Sequence, residues 1–442
     1  MRDDLSFRTR QFLGEPEWLT HLRAEAEERF HLARWPQPAE EEWRRTDLSG
    51  LDLDGFAGRE AAVPQPARAE AALPEAAPPD ASTPEPPQGL AGVLRFEQGV
   101  CKHRALDEDL RRRGVLLLPL EQALWGFYPQ LAGRLEELFQ RGLKAADNRF
   151  LLWHYSRWSS GALLYVPRFV ELTSPVLIEL AEGEPAAGAG FPHLTVLLEE
   201  GARAELVHLT YGAEASGRLE NTVMEMSLGA GSSLGLYEAQ FLGPEALYFR
   251  HGTAELARDA SLHHFDGCLG AGLVKTRIDC ALGGPGSEAL LDGVFFAGGR
   301  QHLDLRTVQR HRSPRAVSRA NYRGAVRDTG RSVFQGLIEV SPGAVGTDAY
   351  LSNKNLLLNE GARADSIPSL KIENNDVRCT HGSTTGRIDE QELFYLMSRG
   401  LDRGQATELL VLGYFDELLG KTPALYRERL TARIQALLRP DS

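Results

Sequence analysis

Cys379 and His381 stand two residues apart in KIENNDVRCTHGSTTGRIDEQELFYLMSRG, residues 371–400, just before the sequence turns helical. In a β-strand, residues i and i+2 leave the same face with Cα atoms about 6.5–7 Å apart, so the thiol and the imidazole point together while Arg378 and Thr380 point away. A thiolate with a neutral imidazole suits iron, zinc or an iron–sulfur species. Two protein donors fall short of the usual four. A metal held here must draw further donors from elsewhere in the chain, from another subunit or from sulfide. Spacing alone favours the plainer reading, with Cys379 a small buried hydrophobe and His381 a hydrogen-bonded corner residue.

Other residues carry weaker signals. Gly420-Lys421-Thr422 looks like the end of a phosphate loop, but Phe415 replaces the glycine five residues earlier, and the segment reads as a helix C-terminus. His263 and His264 are adjacent, face opposite ways in a strand and cannot share a metal. Cys268 and Cys280 lie in strand-rich sequence and read as core thiols. Cys101, beside Lys102 and His103, is a candidate for a lowered thiol pKa. Arg310, Arg312, Arg315, Arg319, Arg323, Arg327 and Arg331 recur near helical spacing, but Ser313-Pro314, Gly324 and Gly330 break a helix there. A solvated strand face or a contact with an acidic subunit is the expectation, ahead of RNA.

The elements that must position these residues follow from periodicity. Residues 15–34 have helical spacing in Trp18, Leu19, Leu22, Ala26 and Phe30, with Pro16 as an N1 proline. Residues 61–89 are rich in Pro and Ala with almost no large apolar groups, and are expected to form a linker or poorly ordered loop. A small mixed α/β region over 90–149 follows, with a strand at Gly114–Leu118 and a helix around Leu120–Leu124.

From about Phe150 the texture is short apolar runs separated by Gly, Ala, Ser and Asp turns. A corner-plus-strand unit recurs from Gly201, Ala230, Ala257 and Gly284, roughly 28 residues apart, and again near Gly330, Gly343 and Gly361. This pattern predicts a β-helix over 150–385, with a β-sandwich as the alternative. Beyond Gly386 the spacing becomes helical: a segment around Leu393–Met397 stopped by Gly400, then Gln405–Leu419 and Pro423–Leu438. This helical domain over 386–442 is expected to cap the solenoid and to offer a partner surface.

Composition narrows the function classes. The 442 residues carry 61 acidic and 49 basic side chains, a net charge of -12. That disfavours a general nucleic-acid binder, which needs a basic surface. No apolar run is long enough to span a membrane, and MRDDLSFRTRQF lacks the apolar core of a signal peptide, so a soluble cytoplasmic protein is expected. The four cysteines are scattered with no CxxC, which indicates reduced thiols rather than a disulfide framework or zinc knuckle.

SLKIENNDVRC with THGSTTGRIDEQELFYLMSRGL resembles the C-terminal signature of the SufB/SufD family, scaffold subunits of the SUF system of iron–sulfur cluster assembly. SRANYRGAV, VFQGLIEV and TDAYLSNKNLLL extend the resemblance over most of residues 90–442. It implies a right-handed β-helix core, whereas the N-terminal helical region (1–60) rests on spacing alone and carries no recognisable family pattern, and the C-terminal helical domain follows from its own periodicity. It also gives His381, and more weakly Cys379, a part in nascent cluster assembly at a subunit interface.

SufB members usually carry a cysteine in the segment matching Thr347–Ser352 and a His-Glu pair where this chain has His381-Gly382. Both are missing, so the resemblance is to the SufD side. It implies a noncatalytic scaffold that pairs with a SufB-like paralogue and docks a SufC-like ATPase through its C-terminal helices. It would hold no cluster stably alone, but iron or a cluster transiently with SufB; in isolation a homodimer is the alternative. The rival class is a β-helix enzyme, a polysaccharide lyase or metal-assisted hydrolase, disfavoured because no regular row of Trp or Tyr lines the strands. A hexapeptide-repeat acyltransferase does not fit the longer recurrence.

Overall fold

A computed structural model of the chain describes residues 15–51, 53, 56, 86–124, 128–181, 188–213 and 217–439. From Ser160 onward, strands alternate between two sheets. The first sheet takes Val176–Ala181, Arg203–Tyr211, Ser233–Phe241, Ser261–Cys268, Glu288–Ala297, Val317–Val326, Thr347–Leu357 and Val377–Arg387. The second takes Ser160–Val166, Pro192–Leu198, Leu219–Leu228, Leu247–Leu256, Leu273–Leu282, His302–His311, Arg331–Val340 and Arg363–Ile372. Every neighbouring pair among these is parallel, so each coil contributes one strand to each sheet. This is the expected β-solenoid, with helices toward both termini.

The small-residue corners set the repeat. Gly201, Gly231, Asp259, Gly286, Arg315 and Gly346 all adopt positive φ, between 55° and 71°. Each sits at the same place before a first-sheet strand, and each N–H donates to a carbonyl of the next coil: Gly201 to Ala230, Gly231 to Arg258, Asp259 to Pro285, Gly286 to Pro314, Arg315 to Val345 and Gly346 to Asp376. Glycine adopts this conformation without a Cβ clash and Asp tolerates it, whereas Arg315 carries strain of about 1 kcal/mol or more. The next residue in each coil, Ala202, Ser232, Ala260, Ser287, Ala316 or Thr347, is buried, since only a small side chain fits inside the turn. Inward side chains such as Leu236, Leu262, Leu291, Leu305 and Ile338 fill the space between the sheets.

Both outer faces are covered in part. Glu17–Leu32, Pro129–Ala145 and Arg149–Arg157 lie over the second sheet and bury Phe139, Phe150 and Trp153 with Leu197, Val223 and Phe249. Pro16 occupies the cap position ahead of the first helix rather than its first turn. The run from Phe150 that reads as strand begins as helix Arg149–Arg157, and the first parallel strand starts at Ser160. Antiparallel pairs, Gly92–Glu97 with Val100–Leu106 and Leu116–Pro119 with Ser160–Val166, begin the two sheets. The Pro/Ala-rich stretch expected as a linker lies outside the described residues, apart from 86–89.

The C-terminal helices, Glu390–Ser398, Arg403–Leu419 and Ala424–Leu438, do not cap the solenoid's end as expected. The last two lie flat on the outer face of the first sheet. Val207, Tyr237, Phe265, Val294 and Phe296 form an apolar patch there, and Val411, Phe415, Tyr426 and Leu430 bury it. Removing that patch from water stabilises the layer. Among the described residues no helix is long and apolar enough to cross a membrane.

Candidate functional site: the open end of the solenoid

The repeat simply stops at its C-terminal end. Val377–Arg387 pairs only with Thr347–Leu357, and Arg363–Ile372 only with Arg331–Val340, which leaves both sheets with an unpaired parallel edge. Such edges are templates for another chain unless blocked.

Register decides where the expected donors point. Cys379 stacks above Ala349, Ser318, Ala289 and Leu262, and His381 above Leu351, Ala320, Leu291 and His264. All of those lower residues are buried between the sheets. Cys379 and His381 therefore both face inward, as the i, i+2 spacing predicts, at a mouth with no further coil above it. His381 is exposed and Cys379 half-buried. Burial raises the Cys379 thiol pKa, partly offset by the Ala349 backbone, with Asp348 adding to the rise.

Across the mouth, Leu370 and Ile372 belong to the inward rows of Ile338 and Val340, yet remain 38% and 39% exposed. Sequence reasoning missed these two; the signal was their place on the last repeat, where core-type residues have nothing to cover them. Among the described residues no group of three or more His, Cys, Asp and Glu side chains could hold a metal. Cys379 and His381 thus stand at the mouth as two side chains able to donate to a metal, without a third of these types grouped with them among the described residues.

The other singled-out residues have surroundings of their own. His264 points inward and lies 2.6 Å from Glu238, whereas His263 points outward, 3.3 Å from Asp292. Deep in the lumen Glu238 also meets Arg250 at 2.5 Å and His208 at 3.2 Å, and Arg250 meets Asp266 at 2.7 Å. Burial would raise the Glu238 carboxyl, but Arg250 and the two histidines hold it well below the usual carboxylate range. No local motif signals this knot, since its members come from four strands.

Cys268 and Cys280 are buried, and burial pushes both thiols far up. Cys101 contradicts the expectation of a reactive thiol: burial, reinforced by Glu121, raises it to about 11, and the adjacent cations do not compensate. Lys421 reaches Asp292 at 3.3 Å rather than forming part of a phosphate loop. Six of the seven arginines meet intramolecular carboxylates: Arg310 with Glu339, Arg312 with Glu255, Arg319 with Asp348, Arg323 with Glu417, Arg327 with Asp328 and Arg331 with Asp365.

A helix-flanked parallel β-solenoid with an open, donor-bearing end is the class these features define. The family model described as SUF system FeS cluster assembly, SufBD core domain, matches residues 181–414. An iron-sulfur cluster assembly SufBD family protein of Mycobacterium bovis is 33% identical over 363 residues, spanning 79% of this chain and 89% of that protein. One from Mycobacterium leprae is 31% identical over 319 residues, 70% and 80% of the two chains. One from Staphylococcus aureus is 25% identical over 435 residues, 96% and 90%. The chain belongs to the SufBD family of iron–sulfur cluster assembly proteins.

Proposed function

We propose that the chain is a SufD-type scaffold subunit, noncatalytic and cytoplasmic. In this role its open end pairs with a SufB-like paralogue and its C-terminal helices dock a SufC-like ATPase. The observation that carries the proposal is the mouth: two unpaired sheet edges, two uncovered apolar residues and two inward-facing donors in one place. A second solenoid meeting these edges would extend both sheets, cover Leu370 and Ile372 and supply the missing ligands. The iron or nascent cluster is cargo at that junction. Thr347–Ser352 carries no cysteine and Gly382 no carboxylate, which supports the reading that the paralogue brings the fuller donor set. For the ATPase, Phe394, Tyr395, Met397 and Leu409 form an exposed apolar surface, 73%, 56%, 41% and 52% exposed, of the kind partners cover.

The test is co-expression with the paralogue and the ATPase. His381→Ala should leave the complex assembled, because an exposed imidazole adds little to binding unless it is a hot spot, but should depress cluster formation. Cys379→Ser should do less. Normal cluster maturation by the His381→Ala complex would refute the site, and failure to recover either partner would refute the scaffold assignment. Docking is better probed by Phe394→Ala with Tyr395→Ala than by deleting residues 405–442, since deletion would also strip the cover from the first sheet.

A further inference from the structure

The open end carries charge of one sign. Strands Arg363–Ile372 and Val377–Arg387, the last of each sheet, hold Arg363, Lys371, Arg378 and Arg387 against one carboxylate, Asp365, in a chain whose net charge is -12. Two of these cations end ladders that climb the outer faces of the coils. On the second sheet, Arg310, Glu339 and Lys371 share one register row on successive strands; Glu339 pairs with Arg310 beneath it and accepts a hydrogen bond from Lys371 at 2.8 Å. On the first sheet, Asp348 lies 3.1 Å from Arg319 on the coil beneath and 3.9 Å from Arg378, its register partner on the last strand. Both ladders run cation, anion, cation, and both stop on a cation.

Neighbouring strands stand about 4.8 Å apart, so side chains opposed on one face interact, and opposite charges there stabilise a pair while like charges weaken it. Lys371 and Arg378 each have a carboxylate on the coil beneath, with Glu373 also 3.8 Å from Lys371, and their side chains remain 58% and 82% exposed. Cations on an edge strand also repel stray strands. Here the positions that share their outer faces, Ile367, Ser369, Thr380, Gly382 and Thr384, are uncharged. The edges therefore admit a strand that brings the opposite charge.

We propose that Lys371 and Arg378 set the register of docking at the open end: the solenoid that extends these sheets presents one carboxylate opposite Lys371 and one opposite Arg378, adding an anionic rung to each ladder. That a second solenoid docks here rests on the proposed function; the sign of its edge charge rests on the ladders. A slip of one residue would turn both carboxylates from the outer face to the inner one, so closing the two ladders together selects a single register.

Titration of the full chain into the purified SufB-like subunit, at about 0.05 and 0.5 M salt, tests the charge requirement. Lys371→Glu with Arg378→Glu should raise Kd at least about tenfold at low salt, and Lys371→Gln with Arg378→Gln by less, with both differences shrinking at high salt. Arg112→Glu with Arg258→Glu makes the same change of net charge on exposed cations away from the mouth, and should leave Kd within about twofold. In the native complex, a carbodiimide that joins an ammonium to a carboxylate should couple Lys371 to a carboxylate of the subunit, read as a cross-linked peptide by mass spectrometry. If the reversed edge frays against Glu339 and Asp348, this cross-link still decides. A Kd indifferent to charge reversal, an equal loss from the Arg112 and Arg258 pair, or Lys371 coupled only to Glu339 or Glu373 of its own chain overturns the proposal while docking stands. A native chain that does not pair with the subunit at all refutes the proposed function, and this proposal falls with it.

Discussion

If the mouth is a docking surface, removing its apolar residues should weaken pairing by a calculable amount. Fully burying a Leu or Ile side chain contributes about 1.5–3 kcal/mol. Leu370 and Ile372 retain 38% and 39% of their exposure, so completing their burial in a complex would add about 0.6–1.2 kcal/mol each. Leu370→Ala with Ile372→Ala should therefore cost about 1–2 kcal/mol of pairing, a rise in Kd of about 5- to 30-fold at 1.4 kcal/mol per decade. Calorimetric titration of the chain into the purified SufB-like subunit reads this directly. The double variant also loses packing already present in the isolated chain, so a control is needed. Val340→Ala serves, because Val340 lies one coil beneath Ile372 and is fully buried; it should lower stability without changing Kd. An unchanged Kd in the double variant, or an equal loss from Val340→Ala, would refute the mouth as the docking surface.

Arg250→Ala should lower unfolding free energy by about 3–5 kcal/mol, because it leaves Glu238 and Asp266 buried without their cation; urea denaturation measures it. Thiol labelling of the native chain should modify Cys379 first and Cys101 slowly, with Cys268 and Cys280 labelled only on unfolding, as mass spectrometry of a time course will show. Glu121 is pushed up to about 7 by burial, so the folded state holds its proton where the unfolded state has released it. Its contribution to stability is present below the ordinary carboxylate pKa and lost as pH rises through about 7. Glu121→Gln should therefore flatten that decline and be more stable than the native chain above pH 7, by about 1–3 kcal/mol in thermal or urea melts.

The solenoid was legible because its determinants are local. A residue able to take positive φ followed by a small buried one, as in Gly231-Ser232 or Gly286-Ser287, repeats once per coil and needs no long-range information. The shared face of Cys379 and His381 was legible for the same reason, through the two-residue period of a strand. The resting place of the C-terminal helices was not. Their apolar stripes announce that something is covered, but whether that is the end or the side depends on outward residues such as Tyr237, Phe265 and Phe296, whose face is fixed only once the register is known. Cys101 misled because the charges beside it in sequence matter less to its thiol than burial and Glu121.

The same geometry bears on the rival of a polymer-cleaving solenoid. An enzyme of that kind works on the outer face of a sheet. Here helices cover much of the second sheet, and Thr46 and Glu42 pin the preceding segment to Asp304 and Arg277. The C-terminal pair covers much of the first sheet. The groove left on that sheet, about 760 Å³, is lined by Arg203, Glu205, Tyr237, His263, Glu288 and Arg319, with Arg319 paired to Asp348 and His263 beside Asp292. The interior offers no route either, since Tyr322 and Phe334, with ring centroids 4.8 Å apart, fill the lumen between the mouth and the Arg250 knot. Among the described residues, the inward-facing side chains that a second molecule could reach are therefore those where the coils end, Cys379 and His381 with them. Under the proposed function, the remaining ligands come to that edge from another molecule.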